Sequence, residues 1–188
     1  EYRREWMRQM ITRDPRIFDA TILGNLRQGT AFFASASLIS IGGVLALFGN
    51  TDQLMGLADD LTLNREPNIV WEIKLMATLF FVTNAFLKFV WSNRLFGYCA
   101  VIMSSVPNEI DHPATKPRAM KAAEINVTAA RSFNRGLRSV YFGLASVAWL
   151  VGPAFLIASS LLTCLVLWRR EFASQSRDVL LTSDDHNA

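Results

Sequence analysis

Thr30-Ala31-Phe32-Phe33-Ala34-Ser35-Ala36-Ser37-Leu38-Ile39-Ser40-Ile41-Gly42-Gly43-Val44-Leu45-Ala46-Leu47-Phe48 is a run without one charged side chain. As a helix rising 1.5 Å per residue it is about 29 Å long. That matches the ~30 Å hydrocarbon core of a bilayer, where only a closed set of backbone hydrogen bonds is tolerated. The run is rich in Ala, Ser and Gly. Small side chains let helix backbones approach in lipid, and Ala36 and Ser40 have the four-residue spacing such packing uses.

Outward from this run the pattern repeats. A second apolar block starts near Ile73 and continues to Val106, interrupted by Lys88, Asn93 and Arg94, with Pro107 ending it. At about 50 Å it exceeds the bilayer core, so it must protrude or tilt. A third block runs from Val140 to Trp168 with Gly152-Pro153 inside it, which predicts one helix kinked at the proline. The chain is 51% apolar and 19% charged over 188 residues, and its charges lie mostly between these blocks. The fold class predicted is all-α: a polytopic membrane helix bundle over 1–170, with spans at about 30–48, 73–98 and 140–168. Amphipathic surface helices accompany the spans, and residues 171–188 form a polar tail.

The connecting segments add detail. Residues 2–12 predict a short basic helix carrying Trp6. Asp14-Pro15 reads as a helix start, followed by an amphipathic stretch with Phe18, Ile22 and Leu26 on one side. The 50–70 connection holds Asp52, Asp59, Asp60 and Glu66, an amphipathic piece at Leu54, Leu57, Ala58 and Leu61, and Trp71 beyond it as an interface anchor. Glu109, Asp111 and His112 sit among prolines, where turn chemistry accounts for them. Thr115 caps a helix beginning near Pro117. Its apolar side is Met120, Ala123, Val127, Ala130 and Leu137, and its basic stripe is Arg131, Arg135 and Arg138. Such a helix is expected on the membrane surface, with the stripe facing anionic lipid or a partner's acids.

Basic residues alternate along the chain. Arg3, Arg4, Arg8, Arg13, Arg16 and Arg27 precede the first span, Arg65 alone follows it, and Lys116, Arg118, Lys121, Arg131, Arg135 and Arg138 precede the third. The positive-inside rule places the first and last groups in the cytoplasm and the 50–70 loop outside.

Four stretches resemble a family of bacterial membrane proteins known as domain of unknown function 599. They are Trp6 through Arg16, Arg27 through Ser35, Phe86-Leu87-Lys88-Phe89, and Arg135 through Phe142 leading to Trp149-Leu150-Val151-Gly152-Pro153. The resemblance covers nearly the whole chain. It implies a four-helix protein of the bacterial inner membrane whose first helix precedes Glu1, with no activity or cofactor attached.

The net charge of +3 and the lack of groove-reading motifs give no case for nucleic acid. Cys99 and Cys164 both fall in apolar blocks, so neither a disulfide framework nor a thiolate zinc site is indicated. No catalytic constellation, metal set or cofactor motif appears, and the chain is expected not to be an enzyme. Inside a span the polar candidates are Asn84 and Lys88, four residues apart on one helix face that Trp91 continues. Either Asn84 bonds a neighbouring helix while Lys88 snorkels to headgroups, or the face forms a polar site. The function expected is an accessory or scaffold subunit of a larger membrane complex, joined to a protein partner or a second copy through small-residue helix faces. A small transporter or lipid-interacting protein is the alternative.

Overall fold

The computed structural model describes residues 1–50 and 67–174 together with positions 56 and 179. The amphipathic piece at Leu54–Leu61, the loop acids and Arg65 lie outside the described residues, as does most of the tail. Helix α1 is Tyr2–Met10, α2 is Ile17–Phe48, α3 is Asn68–Ser104, α4 is Thr115–Val147, and α5 is Pro153–Phe172, with a 3-10 turn at Ala148–Leu150 before α5. Helices α2, α3 and α5 are long and apolar enough to cross a membrane. The contacts divide into two units, Glu1–Ala46 with Leu79–Val140, and Leu47–Thr78 with Tyr141–Ala188.

Three expectations are corrected. First, Val140–Trp168 is not one kinked helix. Helix α4 ends at Val147, and Gly152, at φ 159° and ψ 164°, stands before a fresh helix with Pro153 in its first turn. An extended glycine with positive φ is a conformation open to little else. A proline whose missing N–H would be unpaired anyway fits a helix start. The span that results, α5, has 20 residues and measures about 30 Å, one bilayer core.

Second, the sequence from Ile17 to Phe48 is one continuous helix, so Asp14 and Pro15 lie before its start rather than capping it. Its inward stripe is Asp19, Leu23, Thr30 and Ser37, while Phe18 is 62% exposed. Spacings of four, seven and seven residues follow one face of a 3.6-residue helix. The charged Asp19 takes the inward place because Arg13 and Trp6 are there to meet it.

Third, α4 buries a different face from the one expected. Its buried face is Ala119, Ala122, Ala123, Asn126, Ala129, Ser132, Gly136 and Ser139, shifted from the face of larger residues expected. In the first unit this face packs antiparallel on α3. Cys99 Sγ donates to Ala122 O at 3.4 Å, Ser92 Oγ to Ala129 O at 2.8 Å, and Ser132 Oγ to Lys88 O at 2.9 Å. The close approach that small residues permit is thus made by α4, whereas on α2 Ser40, Gly42 and Gly43 are exposed.

The first unit has its own apolar core. Met7 and Met10 of α1 are fully buried against Leu23, Leu95, Phe96, Cys99, Met103, Ala119 and Ala122. Arginines satisfy backbone carbonyls of the turn that follows α3. Arg16 donates to Val106 O at 2.7 Å and Pro107 O at 2.8 Å, and Arg118 donates to Ser105 O at 2.6 Å. In the turn before α4, Thr115 Oγ1 donates to Glu109 O at 2.8 Å and His112 Nδ1 accepts from Ala114 N–H at 3.1 Å.

In the second unit Thr78 and Ser146 share a hydrogen bond of 3.0 Å, and Ser159 Oγ donates to Ala145 O at 3.0 Å. Trp71 is not an exposed anchor. It is 6% exposed, with the buried Lys74 ammonium 4.6 Å from its ring centroid.

Candidate functional site

The polar pair inside α3 divides its roles. Asn84 Nδ2 donates to Ser139 Oγ of α4 at 2.6 Å. Half-buried Lys88 contributes its backbone carbonyl to Ser132, and among the described residues no carboxylate lies within ion-pair distance of its ammonium. Trp91 is 50% exposed. Asn84 is therefore engaged in holding two helices.

Arg131, Arg135 and Arg138 are all exposed on the side of α4 away from its buried face. Arg131 acts electrostatically on Glu124, about two turns before it.

A feature unmarked by spacing alone is a cleft of about 280 Å³ in the first unit, between α1, α2, α3 and α4. Its polar side chains are Arg3, Asn25, Asn134 and Thr30, whose hydroxyl donates to Leu26 O at 2.7 Å; Leu26, Phe96 and Phe133 supply apolar walls. Arg3 is brought there by the docking of α1. Its Nη1 donates to Oδ1 of the fully buried Asn126, whose Nδ2 reaches Cys99 Sγ at 3.7 Å. Next to it Arg4 holds Glu124 with Nε at 2.6 Å and Nη2 at 3.3 Å. Burial pulls the Arg3 pKa below the ordinary arginine value, whereas Arg4, hydrogen-bonded to Glu124, is pushed up. The same pair holds the Glu124 carboxyl below the usual range.

Helix α1 is fixed at its other end by Asp19. Trp6 Nε1 and Arg13 Nη1 both donate to its Oδ1, at 2.6 and 2.5 Å. The arrangement needs residues from a helix, a connection and a second helix, so no sequence spacing announced it. In the sequence Arg3 is one of six basic residues before the first span, where its charge signals orientation alone.

Both cysteines are free thiols, Cys99 buried and Cys164 exposed. Among the described residues no three His, Cys, Asp or Glu side chains gather where a metal ion could be held. What the cleft offers chemically is one cation, two amides and aromatic walls, which suits binding of an anion.

No curated protein and no solved structure matches the chain. A family model described as "Protein of unknown function, DUF599" matches residues 1–176, and by that match the chain belongs to the DUF599 family.

Proposed function

We propose that the protein is a non-catalytic, multi-pass component of the bacterial inner membrane that acts as an accessory or scaffold subunit of a larger complex. The observation that carries this is a small-residue face of α2 that is left uncovered among the described residues. Gly42 and Gly43 are exposed, and a Cβ built on either meets nothing within 4 Å. Helices associate in lipid by van der Waals packing of such faces. The polar groups within the helices support the same reading. Asn84, Ser92, Ser132 and Thr78 are bonded to neighbouring helices, whereas catalysis needs acids, bases or a metal converging on a reacting atom.

Native purification in mild detergent tests this. A stoichiometric partner or a second copy should co-purify, and Gly43→Leu should remove it without lowering the melting temperature. A monomer indifferent to Gly43→Leu sinks the subunit reading. The orientation follows from the arginine alternation. An impermeant thiol reagent on intact cells should label a cysteine placed at position 60 and not one at 118; the reverse pattern overturns it. A second reading, a lipid-interacting protein, is favoured by the Arg3 cleft.

A further inference from the structure

We propose that the cleft at Arg3 binds the phosphate of an anionic membrane lipid, a reading that deepens the lipid-interacting alternative and does not require the subunit one. Three observations converge on it. The first is charge. Arg3 is the one ionisable residue lining the cleft, with no carboxylate among its walls. Asn126 holds one end of the guanidinium, and the rest of the fork is left to a ligand. A planar, pre-positioned guanidinium suits phosphate oxygens. The amides of Asn25 and Asn134 line the same space, and among the described residues neither side chain has a hydrogen-bond partner.

The second is size. At about 280 Å³ the cleft falls just below the ~300–1,000 Å³ of pockets that enclose a whole small ligand. It takes a headgroup and leaves the acyl chains outside. Phe96 and Phe133 provide apolar surface beside the donors for the glycerol end of the chains.

The third is position, and it selects a lipid over a soluble phosphate. Asn25 and Gly29 flank Arg27, the last charged residue before the uncharged run of α2 begins at Thr30. A membrane-crossing helix passes from headgroup to hydrocarbon where its charges stop. The cleft therefore opens at headgroup depth. Gly29 contributes open space: a Cβ built on it meets nothing within 4 Å.

The test uses the full chain in mild detergent and reads bound lipid by native mass spectrometry, with phosphatidylglycerol and phosphatidylcholine offered in equal amounts. Phosphatidylglycerol should be retained preferentially. Arg3→Gln should weaken that retention by about tenfold, the effect of losing about 1.4 kcal/mol. Gly29→Leu, which fills the cleft, should do the same, and Arg8→Gln, on the exposed side of α1, should change little. If Arg3→Gln loosens α1, Gly29→Leu decides, since its side chain enters open space and the melting temperature should hold. Equal retention of the two lipids, or retention unchanged by Gly29→Leu, overturns the proposal. Displacement of the lipid by millimolar glycerol phosphate would assign the site to a soluble phosphate and overturn the lipid source.

Discussion

The Phe89 ring of α3 lies against Gly136 of α4, so close that a Cβ added at 136 would stand 2.6 Å from Cε1 and 2.9 Å from Cδ1. Phe89 is fully buried and also packs on Phe33 and Phe133, with ring centroids 5.3 and 5.4 Å away. The ring has no room to turn aside. Gly136→Ala gains about 1 kcal/mol of helix propensity but forces an overpacked contact costing about 1–3 kcal/mol. The clash should win. We expect a lower melting temperature in detergent and partial recovery when Phe89→Leu is added; a melting temperature raised by Gly136→Ala alone would refute the contact.

The Asn84–Ser139 bond makes an asymmetric prediction. Hydrogen bonds between membrane helices average about 0.6 kcal/mol and reach about 1.7 kcal/mol. Asn84→Leu removes a polar group with its bond and should cost little. Ser139→Ala leaves the half-buried Asn84 amide without its partner, and an unsatisfied buried donor costs about 1–3 kcal/mol. Ser139→Ala should therefore be the more destabilising, and the double variant should be milder than Ser139→Ala alone. Denaturation of the three variants in mixed micelles ranks them; the opposite order would mean the bond does not form.

Docking of α1 should depend on acid. Glu124 titrates below its ordinary 4.5 because Arg4 hydrogen-bonds it. A carboxylate whose folded pKa is depressed contributes stability that is fully present above the unfolded value and lost as pH falls through the folded one. The window is thus at and below pH 4.5. Glu124→Gln should abolish this part of the acid sensitivity, and Glu5, held low by Gln9 and Arg8 within α1, should keep its own. Melting curves from pH 7 to pH 3 compare the two chains. An identical acid response in wild type and Glu124→Gln would show that the pair does not couple α1 to α4.

How much of this was written in the sequence differs by length scale. Apolar runs located the membrane-length parts of α2 and α3, since the cost of lipid-exposed charge or unpaired backbone acts residue by residue, though α2 begins thirteen residues before its charge-free run. The break before α5 was missed because Gly152-Pro153 fits both a kink and a new start; only the conformation of Gly152 separates them. The buried face of α4 was misplaced for another reason. Periodicity finds large apolar residues, but this face is Ala, Ser and Gly with Asn126 among them, and the partner helix supplies the bulk through Phe89. The cleft could not be found at all, because Arg3 reaches Asn126 across 123 positions and no local pattern encodes that distance.

Asp19 supports the last prediction. It is fully buried, and its Oδ1 receives both Trp6 and Arg13, whose side chain is 37% exposed. Removing one partner of a fully buried ion pair costs about 3–5 kcal/mol, because the remaining charge is stranded. The partial exposure of Arg13 brings its own pair to the lower end of that range. Which partner is removed should matter. Asp19→Asn keeps an acceptor for Trp6 and leaves Arg13 able to reach water, so it should be tolerated better. Arg13→Gln leaves a carboxylate in a site fully closed to solvent, held by the neutral Trp6 donor alone. We expect Arg13→Gln to lower the melting temperature more than Asp19→Asn, and the double variant Arg13→Gln with Asp19→Asn to recover most of the difference. Hydrogen exchange across residues 2–10 would locate the effect: α1 should lose protection in Arg13→Gln before α3 does. Equal loss in both single variants would mean that Asp19 anchors α1 through Trp6 alone, and the ion pair would then be incidental to the docking.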